Sequence, residues 1–253
     1  MNTQSFCGFT KNVSMGVRRT YWRLGAVIAV VLGLMAPATI RVAQADRNPN
    51  PGVLPLNSKP YGKSYGEWSA SSSQWGFKLP VEAHPFLGCP EPPDAGQSGP
   101  VWFLAGAPTD CAINVPVGKA LFFPLANADC STLEDPPFHG ETAAEQRTCA
   151  KFWADHIVQA SLFCEIDGVP LTDLANYRVV SPQFDFTAPT PWVFGAVGGQ
   201  GTAVVDGYSL LLHPLSKGNH TIHFGGAFHF SVADGDPFDN DFAVDTTFHL
   251  TVR

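Results

Sequence analysis

Between Asp206 and Gly226 the sequence runs DGYSLLLHPLSKGNHTIHFGG, a pattern that leaves few folds open. An apolar run, with Tyr208, Leu210 to Leu212 and Leu215, meets a Lys-Gly-Asn turn, and the alternating segment His220-Thr-Ile-His-Phe224 follows. Two apolar runs of strand length with Gly and Asn between them predict a β-hairpin. Because a strand repeats every two residues, His220, Ile222 and Phe224 share one face, and Thr221 and His223 the other. The segment Thr246 to Val252 repeats the pattern, with Phe248, Leu250 and Val252 on one face. These are the inner strands of an antiparallel β domain.

The rest of the chain agrees with that reading. Val101 to Ala105 is a continuous apolar run, the mark of a buried strand. Segments 111–117 and 119–126 predict two more strands about a Val-Gly-Lys turn, and strands resume at 161–166 after a helix. Tyr61, Tyr65, Trp68, Ser72 and Trp75 fall three to four apart and predict a short helix starting near Ser64. Glu141 to Ala160 carries the one long helical signal, with Phe152, Trp153, His156, Ile157 and Ala160 as its apolar face. The chain holds 24 Gly, 22 Pro and 19 Phe, which suits a loop-rich β protein better than a helical bundle. The expected fold is mainly β: an antiparallel β-sandwich or jelly roll with one long and one short helix packed on it. It forms a single domain over 61–253, behind a flexible leader at 46–60.

Residues 1–45 read as a cleaved export signal. Lys11, Arg18, Arg19 and Arg23 make a basic region, an apolar run spans Leu24 to Ala36, and Ala43-Gln-Ala45 is a small-x-small cleavage site. Cleavage is expected after Ala45, leaving no stable membrane anchor. The apolar run of 13 residues is too short for a spanning helix, which needs about 20. Arg18-Arg19-Thr-Tyr-Trp-Arg23 resembles a twin-arginine signal, and an ordinary Sec signal is the alternative. The expected localisation is periplasmic or secreted. All 22 acidic residues but only 10 of the 15 basic ones lie after Ala45, a formal charge of −12. That balance excludes nucleic acid as a partner, because its phosphates need Lys and Arg.

Cys7 leaves with the signal, and five cysteines remain. In an oxidising compartment they should mostly pair. The expected pairs are Cys89–Cys111 and Cys130–Cys149, each closing a short loop rich in Gly, Pro or charge and worth about 3 kcal/mol in the chain-entropy model. Cys164, in the apolar run Ser161 to Ile166, reads as a buried small hydrophobe.

Three sets of residues offer chemistry, each with a plainer reading beside it. Trp68 and Trp75 could form an aromatic platform for a sugar ring, with Glu67 or Gln74 as polar partner; an aromatic stripe at helical spacing more often packs into a core. Asp234, Asp236, Asp239 and Asp241, with Asn240, offer enough oxygens for Ca²⁺ but lack the EF-hand spacing, and such residues also make ordinary turns. His223 and His249 fall on one face if their strands are neighbours; two His with a carboxylate can hold a metal or move protons, and they can equally hydrogen-bond on an outer sheet face. No phosphate loop and no nucleophile elbow is present.

The runs Ser64-Tyr-Gly-Glu-Trp-Ser69, Gly96-Gln-Ser-Gly-Pro-Val-Trp-Phe-Leu-Ala-Gly106, Gly118-Lys-Ala-Leu-Phe-Phe-Pro124 and Gly207-Tyr to Phe224 resemble a family of exported bacterial proteins with no assigned activity. The resemblance covers most of the chain after residue 60 and implies a common fold and export. Ser71 to Ser73 stand where that family is expected to carry tryptophan. The function expected is a non-catalytic ligand-binding or envelope-associated protein, with an extracellular glycan or small molecule as partner. The alternatives are a hydrolase or lyase acting on a polysaccharide or ester, using Glu67, His223 and His249, and a structural surface protein assembling through Cys164.

Overall fold

A computed structural model describes residues 50, 52–106, 109–195 and 197–253. The expected export signal at 1–45 lies outside the described residues. Among the described residues no helix is long and apolar enough to cross a membrane.

Among the described residues ten strands form two sheets. One contains β1 (Val101–Phe103), β3 (Ala120–Ser131), β6 (Arg178–Val180), β7 (Phe184–Ala188) and β8 (Gly199–Leu212), in the order β1-β3-β8-β6, with β7 also paired to β8. The other contains β2 (Thr109–Val115), β4 (Phe163–Ile166), β5 (Val169–Pro170), β9 (Gly218–Phe230) and β10 (Asn240–Val252), in the order β2-β10-β9-β4-β5. The fold is a β-sandwich with helices packed on it, as the sequence predicts, but the sheets are mixed. β1 runs parallel to β3, and β2 parallel to β10.

The predicted hairpin over 206–226 does not form. β8 and β9 lie in different sheets, and residues 213–217 carry the chain from one to the other. The Val-Gly-Lys turn likewise joins β2 of one sheet to β3 of the other. Burial explains the separation. β8 is buried continuously from Ala203 to Leu212, the mark of a central strand covered on both faces, whereas β9 and β10 alternate and keep one face wet. Ile222, Phe224, Phe248, Leu250 and Val252 face inward as predicted.

Alternation along β3 fixes the layers. Phe123 packs against Phe224 of the opposite sheet with ring centres 4.5 Å apart, while Phe122 faces Tyr65 of α1 (Tyr65–Phe77) at 6.4 Å. α1 lies close on the outer face of its sheet: a Cβ at Gly66 would stand 2.6 Å from the Val180 carbonyl oxygen. The second helix, α2 (Ala143–Asp155), is joined to β3 by the Cys130–Cys149 disulfide. Cys89–Cys111 forms as well, and Cys164 is free and buried.

Both helices have 13 residues, so the expected contrast of long and short disappears. α2 stops at Asp155 because the following residues turn to bond β9: Ile157 bridges to Phe228, and the Val158 N–H donates to the Ala227 carbonyl at 2.9 Å. The segment expected as a flexible leader is docked where it is described. Val53 is fully buried and bridges to Leu212, the Leu54 N–H donates to the Leu211 carbonyl at 2.8 Å, and the Asn50 side-chain amide donates to the Thr172 carbonyl at 2.8 Å. Its apolar residues complete the edge of the β8 layer, which outweighs the polar composition of the stretch.

Candidate functional site

The candidate site grows from the second half of β3. Val101 to Phe103 pair with residues 120–122, and beyond a register shift between Pro124 and Ala126 the strand is laddered to β8. No other described strand pairs with residues 124–130 along the opposite edge. At Ser131 the chain leaves and returns: the Ser131 N–H donates to the Phe138 carbonyl and the Gly140 N–H to the Ser131 carbonyl, at 3.1 and 3.0 Å. Between them stands a tight loop. The Ser131 hydroxyl oxygen accepts from the N–H groups of Leu133 and Glu134, and the His139 ring contacts the Glu134 carbonyl oxygen at 2.8 Å. These bonds place Glu134 against Asp129 of β3.

Beside this stretch lies a pocket of about 520 Å³. Its walls are aromatic and come from four parts of the chain: Phe138, Trp153 of α2, Phe194, and Phe228, Phe230, Phe238 and Phe242 around the β9–β10 connection. Trp153 lies 4.5 Å from Phe138 and stacks on Phe238 at 5.9 Å, and Phe228 stacks on Phe242 at 4.4 Å. Among the described residues five phenylalanines are exposed. Four of them, Phe138, Phe194, Phe238 and Phe242, line this pocket, and the fifth, Phe152, packs edge-on against Trp153 at 5.1 Å. A fold that buries its other rings so thoroughly leaves these in water at a cost that folding alone does not recover.

Asp129 and Glu134 line the same pocket. Asp129 Oδ2 and Glu134 Oε2 are enclosed without a hydrogen-bond donor, the two carboxyls lie against each other, and Ser131 donates to the Glu134 carboxyl. Two carboxylate oxygens can meet in this way only when a proton lies between them. Burial pushes both acids above the usual carboxylate range, and for Glu134 the charge of Asp129 adds to the effect. The pair therefore keeps a proton to higher pH than ordinary carboxylates do. Carboxyls this close do not match either geometry of glycoside hydrolysis, which sets them about 5 Å apart or further.

Of the candidate site residues read from sequence, Asn240 alone lines this pocket. Trp68 and Trp75 are core: 5% and 3% exposed, packed on Phe103, with their indole N–H groups donating to the Pro60 and Ala95 carbonyls. Gln74 reaches the Asp185 carbonyl. Glu67 closes a capping box, its carboxylate accepting from the Ser64 N–H at 2.7 Å, a bond that holds it below the usual range. Its helix packs on the sheet opposite the one that carries His223 and His249, so the three form no cleft.

β9 and β10 do pair, with His223 opposite Thr247 and His249 opposite Thr221, and both histidines lie on the outer face. Each has its own carboxylate, Asp245 for His223 at 2.8 Å and Asp110 for His249 at 2.9 Å. Three of the four loop carboxylates are also occupied. Asp236 binds the Ser231 N–H and His156, both at 2.7 Å, Asp239 accepts from the Val232 N–H, and Asp241 pairs with His229. Among the described residues no group of three or more His, Cys, Asp or Glu is placed to hold a metal ion. Cys164 is 2% exposed, and burial pushes its thiol up to about 12, so it cannot join two chains at the surface.

Sequence reasoning missed the pocket because its parts are spread from residue 127 to residue 242. One signal was present: Asp129 is the one charged residue of β3, and a charge in a buried strand demands a partner. Searched against protein-family models, curated proteins and solved structures, the chain finds no match.

Proposed function

We propose that this chain is an exported, non-catalytic binding protein that takes a small, largely apolar molecule into the pocket between Asp129, Trp153 and Phe242. The observation that carries this reading is the concentration of exposed phenylalanines around one cavity of about 520 Å³, within the size range of small-molecule sites. The two disulfides support export, since such bonds persist in oxidising compartments. A sugar platform at Trp68 and Trp75 drops out of the proposal, because both rings are already covered.

Titration with the neutral fluorescent probe N-phenyl-1-naphthylamine tests the reading. The expected result is saturable enhancement at one site. The double variant Phe238→Ala/Phe242→Ala is expected to weaken binding about tenfold while costing no more than about 1 kcal/mol of stability, because both rings are more than a third exposed. Probe binding untouched by the variant, or a preference for neutral oligosaccharides over the apolar probe, would overturn it.

A further inference from the structure

The base of the pocket is more specific than its walls. Of the side chains that line it, Asp129, Glu134 and Asp135 are charged, and none is Lys, Arg or His. Glu134 is only 8% exposed, and its Oε2 lacks a donor, as does Asp129 Oδ2. Ser131 donates to the Glu134 carboxyl, but Asp129 Oδ2 and Glu134 Oε2 have no protein donor beyond such proton as the acids share, a costly arrangement among aromatic rings unless something else supplies one.

Nearby histidines are already engaged. On the loop after β3, His139 contacts the Glu134 carbonyl oxygen and the Glu141 carboxylate. On α2, His156 contacts Asp236 and the Phe152 carbonyl oxygen, and on β9 His229 pairs with Asp241. The third acidic side chain of the lining is Asp135. An anionic ligand would meet only repulsion. A neutral one would leave the acids as they are.

We propose that the occupant of this pocket is an organic ammonium ion: a nitrogen bearing N–H groups, held between Asp129 and Glu134, on an apolar body lying against Trp153, Phe230 and Phe242. This rests on the pocket being a binding site, and names its ligand class. The N–H groups supply the missing donors as charge-assisted bonds, and the ring faces attract the positive charge. The step balances as an exchange. The cation enters, the proton shared by the two carboxyls leaves to solvent, and the charge of the site is unchanged.

The test compares three probes on the purified protein: 1-naphthylmethylamine, 1-naphthylmethanol and 1-naphthoate, which share one ring system and differ in charge. Calorimetry in two buffers of different ionisation enthalpy reads the proton. The amine is expected to bind about tenfold or more tighter than the alcohol, with proton release, and to tighten between about pH 5 and pH 8. In Asp129→Asn/Glu134→Gln the amine preference and the proton release should vanish. Equal binding of amine and alcohol without proton release overturns the ammonium assignment and leaves the apolar pocket standing. Failure of all three, and of N-phenyl-1-naphthylamine, overturns both. Should the double variant not fold, the three-probe comparison on the unmodified protein still decides.

Discussion

At the scale of single residues, Asp206 shows what a side chain can do without being visible in a pattern. It begins the stretch that announces the β fold, yet it is 1% exposed in the middle of β8. Arg178 of β6 meets it with two bonds, Nε to Oδ1 at 2.9 Å and Nη2 to Oδ2 at 3.0 Å, and also reaches Asp155 at the end of α2 at 2.8 Å. One guanidinium thus ties two strands to a helix. Removing one partner of a buried pair leaves the other charge without compensation. Arg178→Met is therefore expected to lower stability by about 3 kcal/mol in urea unfolding, and Arg178→Lys to recover only part, since an ammonium cannot make the paired contact. A loss under about 0.5 kcal/mol would show that water already screens Asp206. Nothing in the sequence joins Arg178 to Asp206, because the register that brings them together is a property of the sheet.

Elements were easier to read where local chemistry decides them. Both helices begin at capping boxes, Ser64 with Glu67 and Thr142 with Glu145, written in the sequence at the spacing the geometry needs. Thr142→Ala should cost about 1 kcal/mol by thermal melting and leave pocket affinity unchanged; a large loss of affinity would instead mean that the cap holds Trp153 in place. Strands were legible as strands through the alternation of Ile222, Phe224, Phe248, Leu250 and Val252. Their partners were not. The residues at 213–217 and 116–119 have ordinary turn chemistry, and a turn that folds a strand back beside itself uses the same residues as one that carries it across to a facing sheet. What separates the two outcomes is burial of both faces of β3 and β8, which depends on α1 and on the opposite sheet arriving to cover them. The pocket was illegible for the same reason, with Asp129, Glu134 and the ring-bearing Phe238 and Phe242 meeting only once the layers stack. The loop at 234–241 drew notice for its acids, whereas its contribution to the site is Phe238.

For the molecule as a whole, the carboxyl pair sets a pH dependence with a definite sign. Both acids are raised in the folded protein, so the native state binds a proton more tightly than the unfolded chain. Their contribution to stability is present below the ordinary carboxylate range, about pH 4, and is lost as pH rises through the elevated values. The melting temperature should fall more steeply from about pH 5 to pH 8 than that of Asp129→Asn/Glu134→Gln, measured by calorimetry; parallel curves would mean that the pair is already solvated. His220, raised by its bond to Asp167, loses its own contribution over part of the same interval, but it does so in both proteins and cancels in the comparison.

The parallel pairing of β2 with β10 sets the order in which the chain can mature. β2 is made before β4, β5 and β9 and has no edge to join until β10, the last strand of its sheet in chain order, has taken its place against β9. That sheet waits, unclosed, while residues 116–239 are made. A nascent polypeptide built this way stays open long enough to be threaded or handed to a chaperone, and it commits to its shape late and all at once.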